Sequence, residues 1–390
     1  MYLLYSGRAR ISGAASVPAQ LSSSPDVTMS PTFTVPPASV NLLDQQYSVS
    51  TFDYVTEAVA TTLNVYYTPL LVVLGCIGNL LSIFVFYTSK LRVQATSIYL
   101  SVLALSDTVF LVQLVPPWLN AMEYTNLFYR PGFCQVFVYA LYVSCCLSAW
   151  LVVAFTVERF VAVLYPLKRN SMCTMARAKT VTYFLVSSAL LLNMPVIKYA
   201  STSTNDCNID NDYMDDAARF NYVDTLVAFT LPLAIIVILN AWITVGVYRL
   251  ERARRMLIKT ARATGSGRTR PPPPPPRSQH RVTRMLLIVS SVFVILNLPA
   301  YTMRILAYAY GMSSVEYTGR WAALQQLALM FFNTNFGINF ILYCLSGQNF
   351  RRALCTSIPF LRYRVRRGIA LRLASCNNVV RASSVTSKYI

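Results

Sequence analysis

The sequence predicts an all-α membrane protein: a bundle of seven transmembrane helices followed by a short amphipathic interfacial helix. Sparse charge, seven apolar runs of spanning length, and a lopsided distribution of the remaining charges point to this class. Only 13% of the 390 residues are charged while 55% are hydrophobic. A soluble domain of this length needs far more charge on its surface. A helix needs about 20 mainly apolar residues to cross roughly 30 Å of hydrocarbon. Such runs stand at 66–88, 97–119, 134–164, 181–200, 223–247, 285–308 and 322–345. The opening Met1-Tyr-Leu-Leu-Tyr-Ser-Gly-Arg8 has too short an apolar core for a secretory signal, so the first run is expected to direct insertion.

Charge sets the expected orientation, because short cytoplasmic loops are enriched in Lys and Arg. Of a net charge of +19, Lys90, Arg92, Lys168, Arg169, Arg177, Lys179, the stretch Arg249–Arg284 and the stretch Arg351–Lys388 all fall on one side. The acids Asp26, Asp44, Asp53, Glu57, Glu123, Asp206, Asp210, Asp212, Asp215, Asp216 and Glu316 fall on the other. The amino terminus is therefore expected outside and the carboxyl terminus inside. Basicity that lines a membrane points to anionic lipid and an intracellular partner rather than to nucleic acid.

The chain divides accordingly. Residues 1–65, rich in Ser, Thr, Pro and Val, read as a disordered extracellular tail. Residues 66–347 form the membrane domain, with 250–282 as a basic, proline-rich third cytoplasmic loop. Its run Pro271–Pro276 is a stiff spacer, read as an exposed linker rather than a docking motif. Residues 348–390 hold the interfacial helix and a cytoplasmic tail, since Phe350-Arg-Arg-Ala-Leu-Cys-Thr-Ser357 alternates apolar and basic positions. Cys355 in that helix is either an acylation site or a plain cytoplasmic thiol. Ser383, Ser384, Thr386 and Ser387 are either phosphorylation sites or ordinary members of a disordered tail.

Of nine cysteines, Cys76, Cys145, Cys146 and Cys344 lie in apolar spans, and Cys173, Cys355 and Cys376 face the reducing cytoplasm. Cys134 and Cys207 remain outside, so one disulfide between them is the economical reading. The only histidine, His280, is in a cytoplasmic loop and no CxxC spacing occurs, which argues against metal catalysis.

Three features of the spans bear chemistry. The third has Cys134 at one end and Glu158-Arg159-Phe160 at the other, 25 residues and about 37 Å apart. Taken alone, Arg159 is either a functional cation or an anchor that snorkels to the headgroups. Asp107 is read as the only carboxylate in the middle of any span, and such a group is a functional candidate because burying it is expensive. Pro195, Pro232 and Pro299 each free a backbone carbonyl and permit a pivot in the fourth, fifth and sixth spans.

In order and context, Gly78-Asn79-Leu-Leu, Leu103-Ala-Leu-Ser-Asp107, Glu158-Arg159-Phe160 and Asn339-Phe-Ile-Leu-Tyr343 resemble the motifs of class A (rhodopsin-like) G-protein-coupled receptors. The resemblance covers residues 66 to about 355. It implies that Glu158 holds Arg159 at rest and that Arg159 swings to meet a heterotrimeric G protein, with Phe293, Pro299, Asn339 and Tyr343 in the activating path. It also implies a polar network of Asn79, Asp107, Ser148, Asn335 and Asn339, suited to a sodium ion at Asp107. A protonated Asp107 in a static network is the alternative. For Phe293 the alternative is a packed core side chain with no switching role. Arrestin and a receptor kinase are further partners the resemblance implies, and the plasma membrane is the implied location.

Departures from the motifs narrow the likeness. Phe340 stands where proline is usual in the seventh span, and Asn297-Leu298-Pro299 where Trp-x-Pro is usual in the sixth. Both resemble invertebrate neuropeptide receptors of the FMRFamide-receptor type. The fourth span lacks its usual tryptophan, and Asn240 replaces a tyrosine in the fifth. Residues 278–284 offer no acid to pair with Arg159, which puts the usual inter-helix ion pair in doubt.

The resemblance also bears on the ligand. Amine receptors keep an aspartate where this chain has Leu141, and opsins keep a lysine at the position resembled by Asn333, so both ligand classes are disfavoured. What remains is an acidic loop, Asp206 to Asp216, above walls bearing Tyr139, Tyr142, Tyr301, Arg304, Gln325 and Gln326. The expected ligand is a basic peptide steered by the loop, its aromatic or amidated end gripped by the tyrosines and Arg304. A loop that is only a solvated acidic face is the alternative. A secondary transporter is the rival from another class, but paired half-sequences are not evident. A class A receptor for a non-peptide small molecule is the nearer alternative. An intramembrane hydrolase lacks a membrane histidine and a second central carboxylate, so no enzymatic activity is expected.

Overall fold

The computed structural model describes residues 51–122, 124, 130, 132–202, 207–263, 277–309 and 319–357. Six helical segments are long and apolar enough to cross a membrane, and a bent pair supplies a seventh crossing if its halves are one span. They begin with α1 (Thr51–Thr88), α2 (Ala95–Val112), α3 (Phe133–Leu164) and α4 (Met175–Asn193). Then come α5 (Leu231–Ala263), α6 (Arg277–Ala309) and the bent pair α7 (Gly319–Gly337) and α8 (Asn339–Ser346), closed by α9 (Gln348–Ser357). The all-α class thus holds, apart from a two-rung hairpin of β1 (Ala200–Ser201) and β2 (Asn208–Ile209).

The bundle has a buried centre and an apolar exterior. In α3, two thirds of the most apolar window is buried, whereas in α1 only a third is. Leu70, Val73, Leu74, Ile77 and Leu80 of α1 are each more than half exposed, as a lipid-facing stripe requires. Small residues bring α1 and α7 together. A Cβ on Gly75 would lie 3.0 Å from the Gly337 Cα, so the two backbones touch where any side chain would force them apart.

Helix boundaries differ from the apolar runs for identifiable reasons. The first helix starts at Thr51 rather than near residue 66, because nothing between Thr51 and Val65 breaks a helix and Trp118 Nε1 ties it down by donating to the Val65 carbonyl at 2.8 Å. That moves the end of the expected tail, 1–65, back to about residue 50; residues 1–50 lie outside the described residues. The expected loop 250–282 shrinks likewise, since α5 runs to Ala263 and α6 starts at Arg277. The run Pro271–Pro276, Asp206, Glu316 and the Ser383–Ser387 cluster also lie outside the described residues.

Prolines act where the sequence puts them. Pro195 ends α4 and starts a short helix, Pro195–Tyr199. Pro232 follows a helix Met214–Asp224 and a π-helical segment Thr225–Thr230, in which the Leu231 amide donates to the Leu226 carbonyl five residues back. The seventh span bends by 59° between Gly337 and Asn339 although Phe340 has replaced the proline. Gly78 of α1 makes room for that ring, for a Cβ there would lie 2.9 Å from the Phe340 Cβ. Finally, α9 buries Phe350 and Ala353, and Arg351 Nη1 donates to the Cys344 and Leu345 carbonyls at 2.7 and 2.9 Å. Cys355 is half-buried on this helix.

Candidate functional site

Three polar clusters lie along the bundle axis. The first is at the end where α3 begins. Cys134 is bonded to Cys207, with Cα atoms 5.5 Å apart, which fastens the β2 hairpin strand to the head of α3. Below the hairpin Arg304 of α6 forms an ion pair with Asp224, Nη2 to Oδ2 3.2 Å, and both side chains are under a tenth exposed. Arg304 Nη2 also donates to the Asn221 carbonyl at 3.3 Å and sits over the Phe229 ring. Tyr142 donates to Asn221 Oδ1 at 2.7 Å. Tyr301 donates to the Thr225 carbonyl at 3.1 Å, and Trp150 Nε1 to the Val227 carbonyl at 3.2 Å. Those carbonyls belong to the π-helical segment, so side chains of α3 and α6 satisfy backbone groups that its irregular turn leaves available.

Three of the six expected wall residues, Tyr142, Tyr301 and Arg304, meet at this cluster. Two others do not. Tyr139 points toward α4 and donates to the Leu190 carbonyl at 2.9 Å. Gln326 Nε2 donates to Thr61 Oγ1 of α1 at 3.1 Å. The rotation of α3 and α7 about their own axes decides this, and a list of polar residues near a span end does not carry that rotation. Gln325 is half-buried. Asp224, Asn221 and Phe229 complete the cluster and were not singled out by sequence. Asp224 is buried but is the second residue of the fifth apolar run, two turns before Pro232, which was the available signal; Asp107 stands mid-span. Above the cluster, Asp212, Asp215 and Asp216 are exposed.

The second cluster is at mid-bundle. Asp107, fully buried, receives hydrogen bonds from Ser148 Oγ to Oδ1 and from Asn339 Nδ2 to Oδ2, each at 2.7 Å. Asn79 Nδ2 donates at 3.0 Å to the Phe336 carbonyl, just before the bend of the seventh span, rather than to Asp107. Its Oδ1 is buried and receives no hydrogen bond. Asn335 is buried in the same span, but no side-chain hydrogen bond joins it to Asp107. The hydrogen bonds to Asp107 thus come from Ser148 and Asn339, while Asn79 bonds to the Phe336 backbone instead. Phe293 is buried, nearly two turns before Pro299, and its carbonyl accepts from Asn297 Nδ2 at 2.7 Å.

The third cluster is at the other end of α3. Arg159 Nη2 pairs with Glu158 Oε1 at 3.0 Å, with side chains 12% and 8% exposed. Thr96 of α2 joins the two, donating to Glu158 Oε2 at 2.9 Å and accepting from Arg159 Nη2. Thr96 was not foreseen, because contact across helices from a small polar residue leaves no periodic trace. Arg159 Nε is buried with no hydrogen-bond partner, so the guanidinium keeps a donor in reserve. Its ion-pair partner is on its own helix. The contact joining α5 and α6 near this level is neutral: Ser290 Oγ lies 3.0 Å from Asn240 Oδ1, its one proton shared between that oxygen and the Leu286 carbonyl at 2.9 Å. Tyr343 is fully buried among Phe86 and Phe350, with ring centroids 5.7 and 5.4 Å away, and its hydroxyl has no partner. Among the described residues no three His, Cys, Asp or Glu side chains gather as metal ligands would.

Comparison with known proteins places this arrangement. The pattern describing the 7 transmembrane receptor (rhodopsin family) matches residues 78–343. Neuromedin-U receptor 1 of Homo sapiens is 29% identical over 321 residues, covering 76% of this chain and 74% of that protein. The thyrotropin-releasing hormone receptor of Gallus gallus is 26% identical over 298 residues, covering 72% and 74%. Somatostatin receptor type 4 of Rattus norvegicus is 26% identical over 290 residues, covering 73% and 69%.

Proposed function

Because the chain belongs to the rhodopsin family of seven-transmembrane receptors, we propose that it binds an extracellular peptide and activates a heterotrimeric G protein inside the cell. The observation that carries the G-protein half is the Arg159–Glu158–Thr96 cluster: a nearly buried guanidinium held by its neighbour and by α2, with one donor unused. Tilting of the inner half of α6 about Pro299 opens the space into which Arg159 turns. The peptide half is supported by relatives whose names are those of peptide-hormone receptors and by a polar cluster set beneath exposed acids. The narrower likeness to FMRFamide-type receptors rests on Asn297-Leu298-Pro299 and on Phe340 with the residues that follow it to Arg352.

In this reading the protein lies in the plasma membrane with the disulfide end outside, is not an enzyme, and has no nucleic-acid partner. Membrane lipid surrounds the bundle, and arrestin and a receptor kinase act on its cytoplasmic side. A sodium ion would be held by Asp107 with the Ser148 hydroxyl, where it would neutralise the buried carboxylate. The Asn79 Oδ1, buried with no donor, supports that oxygen set. The test is expression with a promiscuous G protein and a screen of amidated peptides for calcium release, with Arg159→Ala as control. A peptide that signals through the wild type and not through the control is the expected result. Undiminished signalling in the control refutes the role of Arg159.

A further inference from the structure

The first helix is longer than a bilayer is thick. At 1.5 Å per residue the 38 residues of α1 run about 57 Å, against about 40–45 Å of bilayer with its headgroups included. Lys90 and Arg92, both exposed, follow it directly and fix that end at the headgroups, so the surplus stands beyond the membrane at the Thr51 end. The bundle holds the surplus in one rotation. Arg320 Nε lies 2.8 Å from Asp53 Oδ1, Gln326 Nε2 donates to Thr61 Oγ1 at 3.1 Å, and Trp118 Nε1 donates to the Val65 carbonyl at 2.8 Å. The opposite face is thereby turned away from the bundle, and there Phe52, Val55 and Val59 are exposed. By contrast, the 40-residue span Met214–Ala253 carries exposed charge at both ends, Asp215, Asp216 and Arg219 at one and Arg249, Glu251 and Arg252 at the other, as helix ends in water require.

The exposed apolar positions of α1 keep a seven-residue register along the whole helix. Phe52, Val59, Tyr66, Val73, Leu80 and Tyr87 are each more than half exposed. Leu63, Leu70, Ile77 and Phe84, three residues before the last four of these, are exposed as well. Rows offset by three and four residues form the seam of a left-handed helix pair. With about 150–250 Å² on a large apolar side chain and roughly half of it exposed, the two rows present on the order of 1,000 Å² per chain. Stable pairs bury roughly 800 Å² per partner. Lipid tails cover the part of the stripe inside the bilayer as well as another helix does, but they do not reach the part that stands in water.

We propose that this stripe is the interface between two copies of the chain, paired through parallel α1 helices about a two-fold axis normal to the membrane. A second copy inserts with the same orientation and brings the same rows and the same surplus at the same height, so each row meets its own counterpart. The pairing is independent of which ligand or G protein the receptor takes.

The test uses the full-length receptor in liposomes, with single-molecule photobleaching to count copies per cluster over a range of receptor densities. The wild type is expected to pass from one copy to two as density rises. Phe52→Glu with Val59→Glu lies outside the hydrocarbon, so insertion is undisturbed, and it sets like charges against each other across the axis. The density at half-pairing is expected to rise at least about tenfold. Val59→Cys treated with copper-phenanthroline is expected to give a disulfide-linked dimer, and Asn64→Cys, exposed but off the seam, no more than the wild type gives. Thermal unfolding shows whether the glutamates spare the fold, and where they do not, the two cysteine variants decide. A wild type that stays single at every density overturns the proposal, as does unchanged pairing in a folded double glutamate variant or linkage at Asn64→Cys equal to that at Val59→Cys.

Discussion

Replacing Glu158 by glutamine keeps the shape of the side chain and removes the charge that holds Arg159. The pair is close, 3.0 Å, and its side chains are 12% and 8% exposed, so solvent screens it little. A hydrogen bond to a charged group contributes about 1.5–3 kcal/mol. With about 2 kcal/mol removed from the resting state only, the balance between resting and active forms shifts roughly 30-fold. A receptor with about 1% of its molecules active before the change then has roughly a quarter active. The assay is ligand-free nucleotide exchange on a purified heterotrimeric G protein, normalised to receptor number. Thr96→Val, which removes hydrogen bonds to the same two charged side chains but leaves the ion pair itself, is expected to raise exchange about tenfold for about 1.5 kcal/mol. Unchanged exchange in Glu158→Gln at equal receptor number refutes the reasoning.

Ser290→Ala removes the neutral α5–α6 contact to Asn240 and is expected to raise basal exchange about fivefold, with Asn240→Leu adding little to it in a double-mutant cycle. Gly78→Val pushes a side chain into Phe340 and is expected to cost about 1–3 kcal/mol, read as a lower unfolding temperature, with Phe340→Ala restoring much of it. Neutralising Asp212, Asp215 and Asp216 is expected to slow association of a basic peptide about tenfold at low salt, a difference that shrinks as ionic strength rises. Burial pushes the Cys173 thiol up, and the Glu158 carboxylate adds to this, so less of it is thiolate at neutral pH; iodoacetamide is expected to alkylate it more slowly than an exposed cysteine at pH 7, with the rate still rising above pH 9.

What could be read in advance divides along a physical line. The apolar runs, the Cys134–Cys207 bond, the Glu158–Arg159 pair and the buried Asp107 are legible because each is written in hydropathy, in the side of the membrane, or in adjacent residues. Partners across helices are not, because they depend on how far each helix is rotated about its axis. That rotation turned Tyr139 toward α4 and Gln326 toward α1, and it brought Thr96 to Glu158. The π-helical segment before Pro232 hid Asp224 in the same way, by shifting the register that assigns faces in the fifth span. The seventh span bends at Gly337–Asn339 although Phe340 stands where proline is usual, and Gly78 accommodates the ring.

In the proposed mechanism the G protein meets Arg159 itself, once that side chain is released. The direct measurement is capture of nucleotide-free heterotrimer by nanodisc-embedded receptor in three forms: wild type, Glu158→Gln, and Glu158→Gln with Arg159→Ala. Glu158→Gln is expected to capture several times more than wild type, and adding Arg159→Ala to return capture to background while the receptor stays folded. Capture by the double variant equal to that by Glu158→Gln would contradict it.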